Sequence, residues 1–117
     1  MSQLPAKPAP KTVTFEEFGR LDLRTALVVA AEKVPDTAKL LKLTIRLDGT
    51  ERTIVSGIAG NYTPEQMVGK TVIVVANLAP AKIRGIRSEG MLLACGEEQT
   101  LRLLTTDGPA DPGIRVG

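Results

Sequence analysis

The chain has 117 residues, 43% of them hydrophobic and 24% charged, a length and mixture that build one globular domain and exclude whole-chain disorder. Its formal charge is only +2, so any affinity for a polyanion must come from where the cations sit rather than from the total. Histidine is absent, which excludes a Ser–His or Cys–His nucleophile and a histidine base and leaves only carboxylates for a metal site; no catalytic residue, cofactor or metal is expected.

Residues 1–12, with Pro5, Pro8 and Pro10 among Ala and Lys, read as an extended arm or linker, leaving residues 13–117 as the domain. This opening lacks the apolar region of a signal peptide, and the longest apolar run, around Val72–Ala76, is far short of a membrane span. The lone Cys95, in the apolar run "GMLLACG", reads as a packed thiol and gives no sign of an oxidising compartment. A cytoplasmic location without membrane contact is expected.

Thr14 and Glu17 in "TFEE" have capping-box spacing and predict a short helix to about Gly19, with Phe15 and Phe18 pinning it to the body. A β-rich strand follows from Leu23 to Lys33, broken by Pro35 and Asp36. Leu41, Leu43, Ile45 and Leu47 alternate with Lys42, Thr44, Arg46 and Asp48, the period of a half-buried strand. Asp48-Gly49 predicts a hairpin turn into Glu51–Val55. Thr63 and Pro64 open a second short helix, and "TVIVVA" is an apolar run of strand length. Residues 77–90 read as a loop, "MLLAC" and "TLRLL" as two further strands, and the Pro- and Gly-bearing end as extended chain.

The sum is an all-β fold of five or six short strands with no strand–helix alternation. A five-stranded barrel of the oligonucleotide/oligosaccharide-binding type (OB-fold), with a short N-terminal helix and a short helix between strands three and four, has this order. Ligands of such barrels lie over strands two and three, between the loop joining strands one and two and the loop joining strands four and five. Here both loops are basic. Lys33 and Lys39 stand in the first and Lys82, Arg84 and Arg87 in the second, while strand two adds Lys42 and Arg46 on its exposed face. Residues 77–90 carry a net +2, whereas residues 97–117 carry −2, so the positive field is local and suits a phosphate backbone. The three aromatics, Phe15, Phe18 and Tyr62, lie outside both loops. Recognition is therefore expected to use charge and the shape of a folded RNA, with little base reading. Ser88 either caps a turn or donates to a phosphate or 2′-OH. Met91 reads as core, and Asn77 as a tie for its loop.

The segments "PDTAKLLKL", "IVSGIAGNYTPEQMVGK", "VIVVANLAPAKIRGIRSEGMLLA" and "LLTTDGPADPGIRVG" closely resemble the tRNA-binding domain that is appended to many bacterial methionyl-tRNA synthetases and also occurs as a free-standing dimer. The resemblance runs from about Phe15 to Gly117. It implies the five-stranded barrel, non-catalytic binding of the tRNA body regardless of anticodon, a homodimer formed through segments flanking the barrel, and a synthetase catalytic domain as a further partner. It also implies that Lys39, Ser88 and Met91 lie at the tRNA surface. This chain departs from the family at Asp36, where Asn is usual. The alternative is a protein-interaction module of the same fold, for dimerisation or chaperone-like work. The two differ in salt dependence: four cations on phosphates give log affinity a slope of about −3 against log salt, and a protein-binding module gives little.

Overall fold

The computed structural model describes residues 11–117; the predicted arm over residues 1–12 therefore lies outside the described residues except for Lys11 and Thr12. Strand β1 (Leu23–Lys33) is long enough to serve two partners. Leu27–Lys33 pairs antiparallel with β2 (Leu41–Leu47), while Leu23–Leu27 pairs with β4 (Thr71–Val75). A register shift between Val28 and Ala30 separates the two halves, and such a bulge bends a strand and increases its twist. The sheet curls around that bend. β3 (Thr50–Ser56) returns along β2 after Asp48 and Gly49, whose φ values of 50° and 77° are those a tight hairpin turn requires.

Along β2 the expected alternation holds: Leu41, Leu43, Ile45 and Leu47 are buried, and Lys42, Thr44 and Arg46 face outward. Ala26, Val28, Ile54, Ile58, Met67, Val72, Val74, Leu92 and Leu101 complete one core. The sheet order is β3-β2-β1-β4-β7, with β7 (Met91–Leu92) at the far edge and β10 (Arg115–Val116) beside the start of β1. The C-terminal chain is held there by Thr25, whose hydroxyl donates to Asp111 O at 2.7 Å and accepts from Ile114 N at 2.9 Å.

Both helices begin as expected. α1 (Phe15–Phe18) has the complete Thr14–Glu17 capping box, and α2 (Pro64–Met67) has Thr63 as cap with Gln66 closing the reciprocal bond. Met67 is buried beneath the barrel, and Gly69 N donates to Val28 O at the β1 bulge. α1 is not pinned by its phenylalanines, because Phe15 is 89% exposed and Phe18 40% exposed. The Asn77 amide does that work, accepting from Asp22 N and donating to Arg20 O.

Two segments depart from expectation. "MLLAC" is two strands, β7 and β8 (Ala94–Cys95), because Leu93 N donates back to Ile73 O while Leu93 O accepts from Leu104 N, turning the chain toward β9 (Arg102–Leu103). Ala94 packs on the core, so its neighbour Cys95 points outward and is exposed, not packed. Residues 77–90 are not a plain loop: β5 (Ala81–Ile83) and β6 (Ile86–Ser88) form a hairpin.

Candidate nucleic-acid interface

The β5–β6 hairpin turns at Arg84-Gly85, with φ of 52° and 80°. Gly adopts this region freely, but an arginine there sacrifices about 1 kcal/mol of backbone stability. Lys82 lies directly across from Arg87, flanked by the pairs Ala81–Ser88 and Ile83–Ile86. Facing residues share one side of a two-stranded ribbon and alternate pairs take opposite sides. Ala81, Ile83 and Ser88 line a cleft against the barrel, so Lys82 and Arg87 project from the hairpin's other, outer side. The three cations of the segment thus divide into an outer pair and one residue at the tip.

The hairpin is seated on β3 by a short seam. Ser88 is 4% exposed; its Oγ accepts from Val55 N at 3.0 Å and contacts Gly90 O at 3.5 Å. Glu89 N donates to Thr53 O at 2.8 Å. Gly90, at φ 136°, passes so close to β4 that an added Cβ would stand 3.0 Å from Val75 O. The Ser-x-Gly run is therefore where the curled sheet closes, and the Ser88 hydroxyl is occupied by that closure. Met91 is half-buried and lines the cleft from the next strand.

The cleft, about 310 Å³ in volume, brings the two separated connections together. Leu40 of the β1–β2 connection and Ile83 of the hairpin are both in its wall, with Val55, Ser56 and Met91 between. Lys39 lines an adjoining cavity of about 290 Å³ that shares Gly57 with the first. Its carbonyl is tied to Ala59 N at 3.0 Å. In the same connection Asp36 has φ 62°, a region Asn and Asp tolerate better than other side chains. The charge departs from the Asn of the resembled family, but the backbone shape does not require Asn.

Four of the candidate cations have acidic neighbours. Lys39 Nζ is 3.4 Å from Glu98, Lys42 Nζ 3.4 Å from Glu32, Arg46 3.2 Å from Glu51 and Arg87 3.8 Å from Glu89. All are partly or largely open to solvent, where such pairs are worth roughly 0–1 kcal/mol and exchange readily. Lys82 and Arg84 have no ion-pair partner among the described residues. Arg46 stands about 13 Å along β2 from Lys42, toward the Asp48–Gly49 turn, so it does not share the Lys39 end of the strand. No cluster of three or more potential metal ligands occurs among the described residues. No helix among them is long and apolar enough to cross a membrane.

A curled antiparallel barrel whose basic hairpin and β1–β2 connection meet at one cleft has the architecture of the oligonucleotide/oligosaccharide-binding class. The tRNA binding domain family matches residues 23–115, and the chain belongs to that family. Methionine–tRNA ligase of Thermotoga maritima is 55% identical over 104 residues, covering 89% of this chain and 16% of the ligase. Methionine–tRNA ligase 1 of Sorangium cellulosum is 49% identical over 114 residues, covering 97% and 16%. The chain thus spans about a sixth of the length of these curated relatives. Among solved structures, a MetRS related protein from Pyrococcus horikoshii superposes with a TM-score of 0.85 at 37% identity, covering 92% of this chain and all of that one. The chaperone CsaA from Bacillus anthracis superposes at 0.82 with 27% identity, again covering 92% and 100%.

Two features escaped the sequence reading. The barrel type implied that the two connections meet, but not the apolar cleft between them, whose lining comes from segments some fifty residues apart, and the tie of Ser88 to Val55 spans 33 positions. Neither has a local signal. The positive φ at Arg84 could have been read from Arg-Gly between two apolar–basic alternations, "AKI" and "IRS", but each run is too short to mark a strand.

Proposed function

We propose that this chain binds tRNA without catalysing a reaction, gripping the folded body of the molecule through its phosphate backbone. Lys82 and Arg87 on the outer side of the hairpin, Arg84 at its tip and Lys39 on the neighbouring connection supply the charge, with Lys42 and Arg46 extending the field along β2. Ser88 serves this by holding the hairpin on β3, and Met91 by forming the wall beneath it. The observation that carries the reading is a rigidly seated hairpin presenting two cations, Lys82 and Arg84, without acidic partners among the described residues. Such groups release counterions when they meet phosphate.

The relatives named as methionine–tRNA ligases support a role as an accessory domain that raises the local concentration of tRNA beside a synthetase catalytic domain, in the cytoplasm. The coverage of the whole Pyrococcus chain supports a free-standing form equally. A homodimer is part of the same proposal. Phe15, Phe18 and Leu21 are exposed apolar residues in or just after α1, where Leu21 lines one cavity with Asn77 and Leu78 and Gly117 approaches the Phe18 ring; Leu78 also reaches the hairpin cleft. The likeness to a protein named as a chaperone favours a second reading, protein interaction at the apolar cavities.

The test is an electrophoretic shift with total tRNA and with unstructured RNA of equal length, for wild type and for Lys82→Ala/Arg84→Ala. Tighter binding of tRNA than of unstructured RNA, lost alike for different tRNA species in the double variant, is expected. Equal binding by the two proteins, or binding insensitive to salt, rejects the reading in favour of protein interaction.

A further inference from the structure

Charge explains attraction to any folded RNA, but it leaves the apolar cleft beneath the hairpin without a use. Its walls include Leu40, Val55, Ile83 and the β7 pair Met91 and Leu92, four segments in all, and its volume is about 310 Å³. That is the lower end of the roughly 300–1,000 Å³ of small-ligand sites, room for one planar ring system and not for an extended run of side chains. One group in the wall is polar and unengaged: Ser56 is half-buried and makes no side-chain hydrogen bond among the described residues. A cation neighbours the cleft on each side: Lys39, paired with Glu98 at 3.4 Å, lines the adjoining cavity that shares Gly57, and Arg84 follows the wall residue Ile83 at the hairpin tip.

We infer that the cleft accepts one unstacked base from a loop of the bound RNA. The base lies flat between the hairpin and β3, its edge toward Ser56 and its phosphates toward Arg84 and Lys39. An aliphatic slot does here what an aromatic platform does elsewhere, because burying the two faces of a base removes apolar surface from water whatever the burying side chains are. A peptide, the other conceivable occupant, gains nothing from a cation on each side of the cleft unless it is acidic, and the cleft is too small for several side chains. The inference rests on the proposal that this surface binds tRNA, and it gives that surface a preference for RNA whose loops have bases free to leave the stack.

The experiment uses the full chain and a tRNA assembled with an abasic residue at one unpaired position at a time. One position, or two neighbouring ones, is expected to bind about tenfold more weakly when abasic, the effect of one lost base contact. Ala81→Leu is the companion variant. Ala81 is exposed at the cleft wall, so a longer side chain fills the slot without entering the core. It is expected to bind the intact tRNA as weakly as wild type binds the abasic one, with the same slope of log affinity against log salt. If every abasic tRNA binds as tightly as the intact one while salt-dependent binding persists, the base site is overturned and the backbone reading stands. If no tRNA binds at all, both fall. If a Leu- and Phe-rich peptide binds in an Ala81→Leu-sensitive way while all abasic tRNAs bind alike, the cleft belongs to protein and the inference is again overturned.

Discussion

Arg84 is in a backbone conformation that its side chain does not favour. Its φ of 52° belongs to the left-handed region, where Asn relieves most of the penalty. On the proposed reading, this residue at the exposed tip, with a guanidinium free of any ion pair among the described residues, meets a phosphate. Arg84→Asn is therefore expected to raise stability and lower function together. Stability should rise by about 1 kcal/mol, a Tm increase on the order of 4 °C, while tRNA affinity falls and the salt slope shrinks by about 0.7–0.9, the share of one phosphate contact. Calorimetry and filter binding on the same preparations check both halves. A variant that gains stability and keeps its affinity would remove Arg84 from the interface.

Ser88 presents the opposite case, a residue whose family resemblance points to RNA and whose geometry points inward. If its hydroxyl acts through the seam, Ser88→Ala leaves the buried Val55 N–H without its acceptor. The expected cost is about 2 kcal/mol, a fall in Tm on the order of 8 °C, and tRNA affinity declines because the hairpin loosens on β3. Were the hydroxyl donating to RNA instead, affinity would fall at unchanged Tm. Thermal melting separates the two.

At the scale of elements, what was legible in the sequence was what is decided within a few residues. The Thr14–Glu17 capping box, the Thr63–Pro64 helix start, the Asp48-Gly49 turn and the alternation of β2 depend on neighbours three positions apart or fewer. The strand β1 was readable from composition, but its division of labour between β2 and β4 was not, since the Val28–Ala30 shift is set by its partners. The hairpin went unseen for a related reason. Three-residue strands do not repeat a pattern long enough to register, and the pairing of Lys82 with Arg87 sets like charges side by side, which costs stability in isolation. That cost is offset by the seam. Gly90 is the element's fixed point, at φ 136° and with an added Cβ only 3.0 Å from Val75 O, so Gly90→Ala is expected to destabilise the whole barrel by roughly 1–3 kcal/mol and to lower the midpoint of urea unfolding accordingly. A change below 0.5 kcal/mol by that measurement would mean that the seam adapts and does not clamp the hairpin.

The whole molecule is asymmetric in a way that neither residue nor element reveals. Its acidic partners stand beside four of the six cations, so a single copy offers RNA few charges that are free at no cost. The exposed Phe15, Phe18 and Leu21 around α1 offer a remedy: a second copy joined there would double the basic hairpins available to one rigid tRNA. Linking two weak sites makes the second contact intramolecular and raises affinity by more than their sum, provided both reach the same ligand. Phe15→Glu tests this with little risk to the fold, because at 89% exposure the ring contributes almost nothing to the core. Sedimentation equilibrium should find the wild type as a dimer at micromolar concentration and the variant as a monomer. The variant should then bind tRNA with about half the salt slope, one set of phosphates instead of two. A monomeric variant with the full slope would assign tRNA to a single barrel and leave the apolar end for a different partner. A wild type that sediments as a monomer would sink the shared grip outright.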